Sequence, residues 1–241
     1  MVLAQTGMEL RILLRNGEQL ILTLVIPVML LVLFSQVDLL NLGVEQPVNF
    51  LAPGVLALAV MSTAFTGQAI GTGFERHYGV LKRLGTTPLP RSGLLAAKTS
   101  AVLAVQAFQI IVLGSVAALL GWSPTMTPSG MVSAALLVLG ATAAFSALAL
   151  LLAGTLRAQA TLAAANLVYV ILLGMGGVVF PVERLGSTVQ TISALLPITA
   201  LSEGLRAVLS RGAVFPGTEL LVLLVWSVGG ALLASRFFRW E

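Results

Sequence analysis

Long apolar runs dominate this chain, and short segments between them carry nearly all of its charged residues. A helix needs about 20 apolar residues to cross a bilayer. Cut at turn residues, the runs predict six membrane spans, at residues 19–37, 50–73, 94–120, 131–154, 160–180 and 219–235. Residues 99–156 carry no charge and are too long for one span, so the Gly- and Pro-containing stretch 121–130 is predicted to separate two helices. The chain is therefore predicted to be an all-α membrane protein.

One further uncharged run, residues 185–202, does not fit the pattern of a span. It contains seven polar or helix-breaking residues: Gly186, Ser187, Thr188, Gln190, Thr191, Ser193 and Pro197. A seventh crossing would also place the two arginines of the tail on the opposite side from the other basic segments. A pair of short re-entrant helices within residues 181–212, between spans five and six, is predicted instead.

The composition agrees with a polytopic membrane protein and excludes several other classes. The chain is 58% hydrophobic and 9% charged, whereas soluble domains are about 25% charged. Six spans leave no room for a sizeable aqueous domain. The absence of cysteine excludes disulfides and thiolate metal sites, and no metal site is predicted. The net charge of +4 comes from basic residues beside the apolar runs, so it indicates membrane topology and not nucleic-acid binding.

The distribution of Lys and Arg predicts the orientation. The N-terminal segment has two, residues 74–98 have five, residue 157 adds one and the tail has two, which makes ten of the thirteen. The other side has Arg184, Arg206 and Arg211. Because cytoplasmic loops carry the excess of basic residues, both termini are predicted to be cytoplasmic, in a plasma or inner cell membrane.

The basic segment after the second span predicts an amphipathic cytoplasmic helix over residues 74–85. At helical spacing, Phe74, His77, Tyr78, Val80, Leu81 and Leu84 share one face, and Glu75, Arg76, Lys82 and Arg83 share the other. Gly85, Pro88 and Pro90 end the helix. Two interpretations of the pattern stay open, a helix lying on anionic lipid and a helix that docks on a protein.

The N-terminal segment predicts a second interfacial element. Thr6 and Glu9 match a capping box, in which both side chains bind free backbone donors at a helix start. Polar residues then fall opposite apolar ones, so residues 5–18 are predicted to form an elbow helix along the inner membrane surface.

Few polar residues lie within the predicted spans. Gln106, Gln109, Asn166 and Tyr169 either line a path or bind helices together by hydrogen bonds of about 0.6 kcal/mol each. No span has an Asp, Glu, Lys or Arg near its centre. This disfavours an ion-coupled secondary transporter and a membrane enzyme.

Charged residues before the last span are candidates for an outer gate: Glu183, Glu203 and Arg206, together with Pro197. Glu203 and Arg206 are three residues apart and are expected to pair on a helix. A solvated surface pair is favoured over a gate because such pairs are common on surfaces.

The chain resembles the permease subunits of ABC type-2 exporters, including antibiotic and multidrug resistance permeases of actinobacteria. The resemblance covers nearly all of the chain. It is carried by Arg15, Pro27, residues 49–54, residues 74–91, Leu196 and Pro197, and residues 203–206. The spacing of Glu75, Gly79 and Leu84 to Pro88 is its most specific part.

The resemblance implies one transmembrane domain over residues 1–241, with a coupling helix that sits in a groove of a separate ATPase subunit. The coupling residues it implies are Glu75, Arg76, Tyr78, Gly79, Leu81, Lys82, Arg83, Leu84 and Pro88. ATP and Mg would bind to the partner, and a second permease copy, identical or paralogous, would complete the transporter. Neither Lys82 nor Lys98 ends a G-x-x-x-x-G-K phosphate loop, so the chain is expected to bind no cofactor and to be no enzyme.

The expected cargo is hydrophobic, drug-like or lipid-like, moved out of the cytoplasm or the inner leaflet. The alternatives are a secondary transporter driven by an ion gradient and a haem- or lipid-exporting permease. A membrane-embedded enzyme or an assembly scaffold is a further alternative.

Overall fold

The computed structural model describes residues 2–15, 17–36, 47–86, 91–125, 127–182 and 186–238. Within these ranges every regular element is helical. The helices are α1 (Val2–Arg15), α2 (Gly17–Gln36), α3 (Pro47–Met61), α4 (Gln68–His77), α5 (Val80–Leu84), α6 (Arg91–Leu119), α7 (Pro128–Thr155), α8 (Ala158–Met175), α9 (Ser187–Ser193), α10 (Pro197–Leu209) and α11 (Gly217–Phe237). A π-helical turn, Ser62–Gly67, joins α3 to α4 into one long helix.

The predicted class of an all-α membrane protein is confirmed. Among the described residues, five helices are long and apolar enough to cross a membrane, namely Pro47–His77, Gly93–Leu119, Pro128–Thr155, Ala158–Met175 and Gly217–Phe237. They match the second to sixth predicted spans. Helix α2 matches the first with 20 residues, and its continuous apolar part is Thr23–Ser35.

The long helix Pro47–His77 forms the centre of the bundle. In its apolar stretch 89% of the residues are buried, whereas only 22% and 17% are buried in the apolar stretches of α8 and α11. Helices α2, α6, α7 and α10 pack around α3, and α11 packs along α7. Apolar side chains on the outer faces of α8 and α11 are exposed, as expected for surfaces that meet lipid tails.

The chain between spans five and six contains two short helices at the predicted place. Helices α9 and α10 are bent by 86° at a break of a few residues. Pro197 occupies the first turn of α10, where a missing N–H costs nothing. Helix α10 is buried against α3 and α7 and closes this end of the bundle, which is called the α10 end. It does not continue the direction of α9.

The opposite end of the bundle, called the α5 end, differs from the prediction in the segment 74–85. The second span continues to His77, and a single helix over 74–85 is wrong. Gly79 has a φ of +70°, in the left-handed region that glycine adopts without a Cβ clash. The break separates α4 from the five-residue α5. The predicted division into two faces assumed unbroken helical spacing, and it therefore fails across Gly79.

The predicted capping box at the N-terminus is also wrong. The helix is already formed at Val2, so Thr6 lies inside α1, where its hydroxyl donates to the carbonyl of Val2 (3.0 Å). Glu9 is buried instead of capping. Helix α1 ends at Arg15 and packs along α6, so the elbow helix spans Val2–Arg15 and not 5–18.

Gly54 of α3 permits a close approach between the central helix and the α10 end. A Cβ added at Gly54 would lie 2.7 Å from Nη2 of Arg206 and would also overlap the carbonyl of Val178. A backbone carbonyl cannot move aside as easily as the end of a flexible side chain. The position therefore requires glycine because of packing, although its backbone is ordinary α-helix.

We expect Gly54→Ala to lower the free energy of unfolding by about 1–3 kcal/mol through overpacking. The measurement is the melting temperature of the purified protein in detergent. Gly114→Ala in α6 is the matched control, because a Cβ there meets no atom within 4 Å. Its melting temperature should stay the same or rise slightly. A Gly54→Ala protein that melts with the control would contradict the close contact.

Candidate functional site

Three charged side chains meet inside the α5 end, one from each of α1, α4 and α6. The ammonium of Lys98 lies 2.6 Å and 2.8 Å from the two carboxylate oxygens of Glu75 and 3.1 Å from a carboxylate oxygen of Glu9. The side chains of Lys98 and Glu9 are each 7% exposed, and that of Glu75 is 19% exposed. This Lys98 triad (Glu9, Glu75, Lys98) binds the elbow helix to the second and third spans.

The Lys98 triad corrects three sequence interpretations. The sequence pattern predicts Glu75 on the polar face of an amphipathic helix, Glu9 in a helix cap and Lys98 in the basic segment. In the structure all three point into the protein. The available signal was Lys98 itself, because a lysine a few residues inside an apolar span is costly and usually has an acidic partner. Its two partners, 23 and 89 residues away, follow no local spacing rule.

Burial makes the Lys98 triad sensitive to the loss of any member. Gln5 donates a further hydrogen bond from Nε2 to the carboxylate of Glu9 (2.8 Å). Removing one partner of a buried ion pair leaves an uncompensated charge and costs about 3–5 kcal/mol. The triad is therefore suited to hold α1, α4 and α6 in one arrangement.

The residues predicted to couple to a partner divide into exposed and buried groups. Tyr78 is 67% exposed, and Lys82 and Arg83 are exposed on α5. These three residues are called the α5 surface. Tyr78 packs on Phe74 (ring centroids 6.1 Å apart) and on His77 (5.2 Å). The α5 surface is therefore basic and aromatic, and its aromatic member is held in place by neighbouring rings.

The remaining coupling candidates have structural positions. Leu81 is buried and anchors α5, Leu84 is half-buried, and Gly79 forms the break. The guanidinium of Arg76 donates to the carbonyl of Leu156, which ends α7. A cation is stabilising at a helix C-terminus, so Arg76 links α4 to the α7–α8 connection. Pro88 lies outside the described residues.

The two glutamines predicted for a path or for helix contacts form hydrogen bonds between buried helices. Gln109 accepts from Thr63 (2.9 Å) and donates to the carbonyl of Thr23 (3.3 Å). Gln106 accepts from Thr142 (2.8 Å) and donates to the carbonyl of Val60 (3.3 Å). These bonds join α6 to α2, to the central helix and to α7, as expected for side chains that bind helices together.

The other two path candidates lie on α8. Asn166 is exposed, and Tyr169 is half-buried against the core. The structure therefore does not bring the four residues into one polar surface. Thr63, which bonds to Gln109, lies in the π-helical turn, a local widening that often accompanies functional sites.

Arg206 forms the centre of a second charged cluster at the α10 end. Its guanidinium donates to the carboxylate of Glu203 (2.6 Å) and to the carbonyls of Phe50 and Val178 (each 3.0 Å). It also lies 3.7 Å from the centroid of the Phe50 ring. Arg206 is only 4% exposed, so the expectation of a solvated surface pair is wrong. Because α10 packs against α3, the side of α10 that carries Arg206 faces the protein interior. The local sequence of α10 does not show which side this is.

The other predicted gate residues surround Arg206. Glu203 also accepts from Arg211 (3.3 Å), whose side chain is 62% exposed, and Pro197 begins α10. Glu183 lies outside the described residues. The cluster binds α10 to α3 and to the chain after α8, so it determines how the α10 end closes.

We expect Arg206→Lys to destabilise the protein by about 2–4 kcal/mol. The compact ammonium lacks the planar set of donors with which the guanidinium binds the carboxylate and both carbonyls. The melting temperature in detergent measures the effect. Arg211→Lys makes the same substitution at the exposed partner of Glu203 and should change stability by no more than about 0.5 kcal/mol. Equal melting temperatures for the two variants would refute the conclusion that Arg206 binds α10 to α3 and to the chain after α8.

We expect Lys98→Met to release α1, because two buried carboxylates lose their shared cation. Hydrogen exchange should rise in residues 2–15 by at least about tenfold, and the protein should lose about 3–5 kcal/mol of stability. Lys82→Met removes the same charge from an exposed position and serves as the control. Unchanged protection of α1 in Lys98→Met would refute the ion-pair link.

A comparison with known families agrees with this architecture. A family model described as ABC-2 type transporter matches residues 3–210. The match runs from α1 through α10 and includes the Lys98 triad, the α5 surface and Arg206. A search of curated proteins found no match. Because the family model covers most of the 241 residues and the fold is a bundle of membrane-spanning helices, the chain belongs to the ABC-2 type transporter family, as its membrane permease.

Proposed function

We propose that this permease is the transmembrane half of an ATP-driven exporter and that a separate ATPase subunit docks on the α5 surface. Permeases of this family generally work with an ABC ATPase partner. ATP and Mg would bind to that partner. The proposed cargo is hydrophobic, drug-like or lipid-like, and it leaves the cytoplasm or the inner leaflet.

The observation that carries the proposal is the exposed α5 surface at the end of the most buried helix. Tyr78, Lys82 and Arg83 are exposed, yet they follow a helix whose apolar part is 89% buried. Basic side chains beside an aromatic ring suit an acidic groove with an apolar floor. A force applied to α5 therefore reaches the centre of the bundle directly.

Three connections would transmit a movement of α5 to the other helices. Gly79 joins α5 to α4, the Lys98 triad joins α4 to α1 and α6, and Arg76 joins α4 to the end of α7. Closure of an ATPase dimer would thus move the α5 ends of several helices as a unit. The proposed orientation places both termini and the α5 end in the cytoplasm.

A second permease copy, identical or paralogous, is part of the proposal. The central helix fills the middle of the bundle, and Gln106 and Gln109 of α6 are hydrogen-bonded to the helices around them. A path for cargo would therefore lie between two permeases and not inside one. The sparsely buried faces of α8 and α11 leave apolar surface for lipid or for that second copy. Membership of the ABC-2 family favours ATP over an ion gradient as the energy source.

Charge reversal on the α5 surface tests the proposal. We expect Arg83→Glu to weaken binding to the cognate ATPase at least about tenfold, through repulsion from an acidic groove. Substrate-stimulated ATP turnover in nanodiscs should fall in parallel. Arg236→Glu, an exposed arginine at the end of α11, makes the same charge change away from α5 and should leave both quantities unchanged.

The choice of residue decides what this experiment reports. Glu75→Lys would disrupt the buried Lys98 triad, so its effect would mix coupling with folding. Arg83 is exposed, and its replacement should leave insertion and melting temperature intact. Normal ATPase binding and turnover in Arg83→Glu, or equal losses in the Arg236→Glu control, would reject docking on the α5 surface.

A further inference from the structure

A pocket of about 220 Å³ lies beside the Lys98 triad, between α1, the central helix and the start of α6. All three charged side chains line it, together with Gln68, Gly71 and Thr72 of α4. A Cβ added at Gly71 would meet no atom within 4 Å, so this stretch of α4 borders open space. Tyr78 of the α5 surface and Val80 of α5 also line the pocket, so it adjoins that surface, but Lys82 and Arg83 are not among its lining residues.

The charges around the pocket are unbalanced. Two carboxylates, Glu9 and Glu75, share the single ammonium of Lys98. With both carboxylates ionised, the triad has a net charge of −1 in a largely buried position. A second cation in the pocket would neutralise this charge at short range, where the low dielectric strengthens the attraction. The pocket is therefore suited to a positively charged group.

Two buried polar groups that border the pocket have no partner in the described part of the chain. They are Nε2 of Gln68 and Oγ1 of Thr72, on residues that are 7% and 3% exposed. The oxygen of the Gln68 amide already accepts from Ser146 (2.7 Å), so its NH2 group needs an acceptor elsewhere. Buried donors normally have partners. An occupant of the pocket that carries an acceptor oxygen would give these two groups a partner.

The helical spacing of these groups defines the shape of that occupant. Gln68, Thr72 and Glu75 are at positions i, i+4 and i+7 and share one face of α4. At 1.5 Å per residue, Thr72 lies about 4.5 Å and Gln68 about 10 Å along the axis from Glu75. Apolar side chains of Ile12, Leu13 and Val102 also line the pocket. A cation at one end, an oxygen a few ångströms away and an apolar body match this arrangement.

We propose that this pocket binds an amphipathic primary amine. Its ammonium lies on the pocket side of the Lys98 triad, against the carboxylates that Lys98 already bridges, its oxygen accepts from Thr72 or Gln68, and its apolar part packs against α1. A cavity of ~150 Å³ holds one benzene, so this pocket takes on the order of ten non-hydrogen atoms. That size corresponds to a small cationic amphiphile or to the headgroup of an aminolipid. The binding step needs neither an ATPase nor transport.

The test uses the full-length permease in nanodiscs of phosphatidylcholine and phosphatidylglycerol. The probe is 2-(4-fluorophenoxy)ethylamine, whose binding is followed by broadening of its ¹⁹F resonance. The neutral 2-(4-fluorophenoxy)ethanol has nearly the same shape and isolates the contribution of charge, and empty nanodiscs of the same lipids correct for partition of each probe into the anionic bilayer. We expect the amine to bind at least about tenfold more tightly than the alcohol, because only the amine meets the excess carboxylate charge.

Variants locate the binding in this pocket. Thr72→Val keeps the shape and removes the hydroxyl, so the amine should bind roughly fivefold more weakly. Thr161→Val is the matched control, because Thr161 has another buried hydroxyl without a partner in the described chain but does not line the pocket. Glu75→Gln should abolish the preference for the amine over the alcohol.

Several results would overturn the proposal. Equal binding of amine and alcohol would exclude charge recognition, and equal affinities in Thr72→Val and Thr161→Val would exclude this pocket. Thr72→Val keeps the test valid even if Glu75→Gln does not insert. Repeating the titration with phosphatidylethanolamine in the nanodisc distinguishes the sources: displacement of the probe identifies an aminolipid, and unchanged binding identifies a soluble amine. Because no ATPase is present, a failure of coupling through α5 leaves this result unaffected.

Discussion

The ion pairs of Lys98 with Glu9 and Glu75 decide how the α5 end of this permease is built. In lipid the hydrophobic effect does not bring helices together, so polar contacts and close packing must select their arrangement. Lys98 makes one contact to α1 and another to α4 from its own position on α6. These helices can move apart only if buried charges lose their partners, which makes the α5 end act as one body.

The α10 end meets the same constraint with a different side chain. A guanidinium offers several donors in a plane, and Arg206 uses them for one carboxylate and for two carbonyls on separate segments. Gly54 supplies the space for it by lacking a Cβ. Between the two ends, Gln106 and Gln109 join the helices through neutral hydrogen bonds. Polar contacts therefore occur at three levels of a bundle whose surface is otherwise mostly apolar.

This arrangement gives the proposed coupling a physical basis. The α5 surface is exposed, but Leu81 fixes α5 to the bundle and Gly79 joins it to the buried central helix. A partner that moves α5 would act on helices already bound together by Lys98 and Arg76. The pocket beside the Lys98 triad lies within this same body, so an occupant there would add a cation to the contacts that unite α1, α4 and α6.

Sequence alone determined the class, the approximate spans and the positions of the charged segments, because the length of an apolar run and the cost of a charge in lipid are local quantities. It also indicated the basic and aromatic character of Tyr78, Lys82 and Arg83. The break at Gly79, the π-helical turn and the burial of Arg206 were decided by the tertiary structure. The Lys98 triad is the clearest case, since Glu9 and Lys98 are 89 residues apart and belong to helices that only the packed bundle brings together. Helical spacing relates residues three or four apart, and it contains no information about which distant helix supplies a partner.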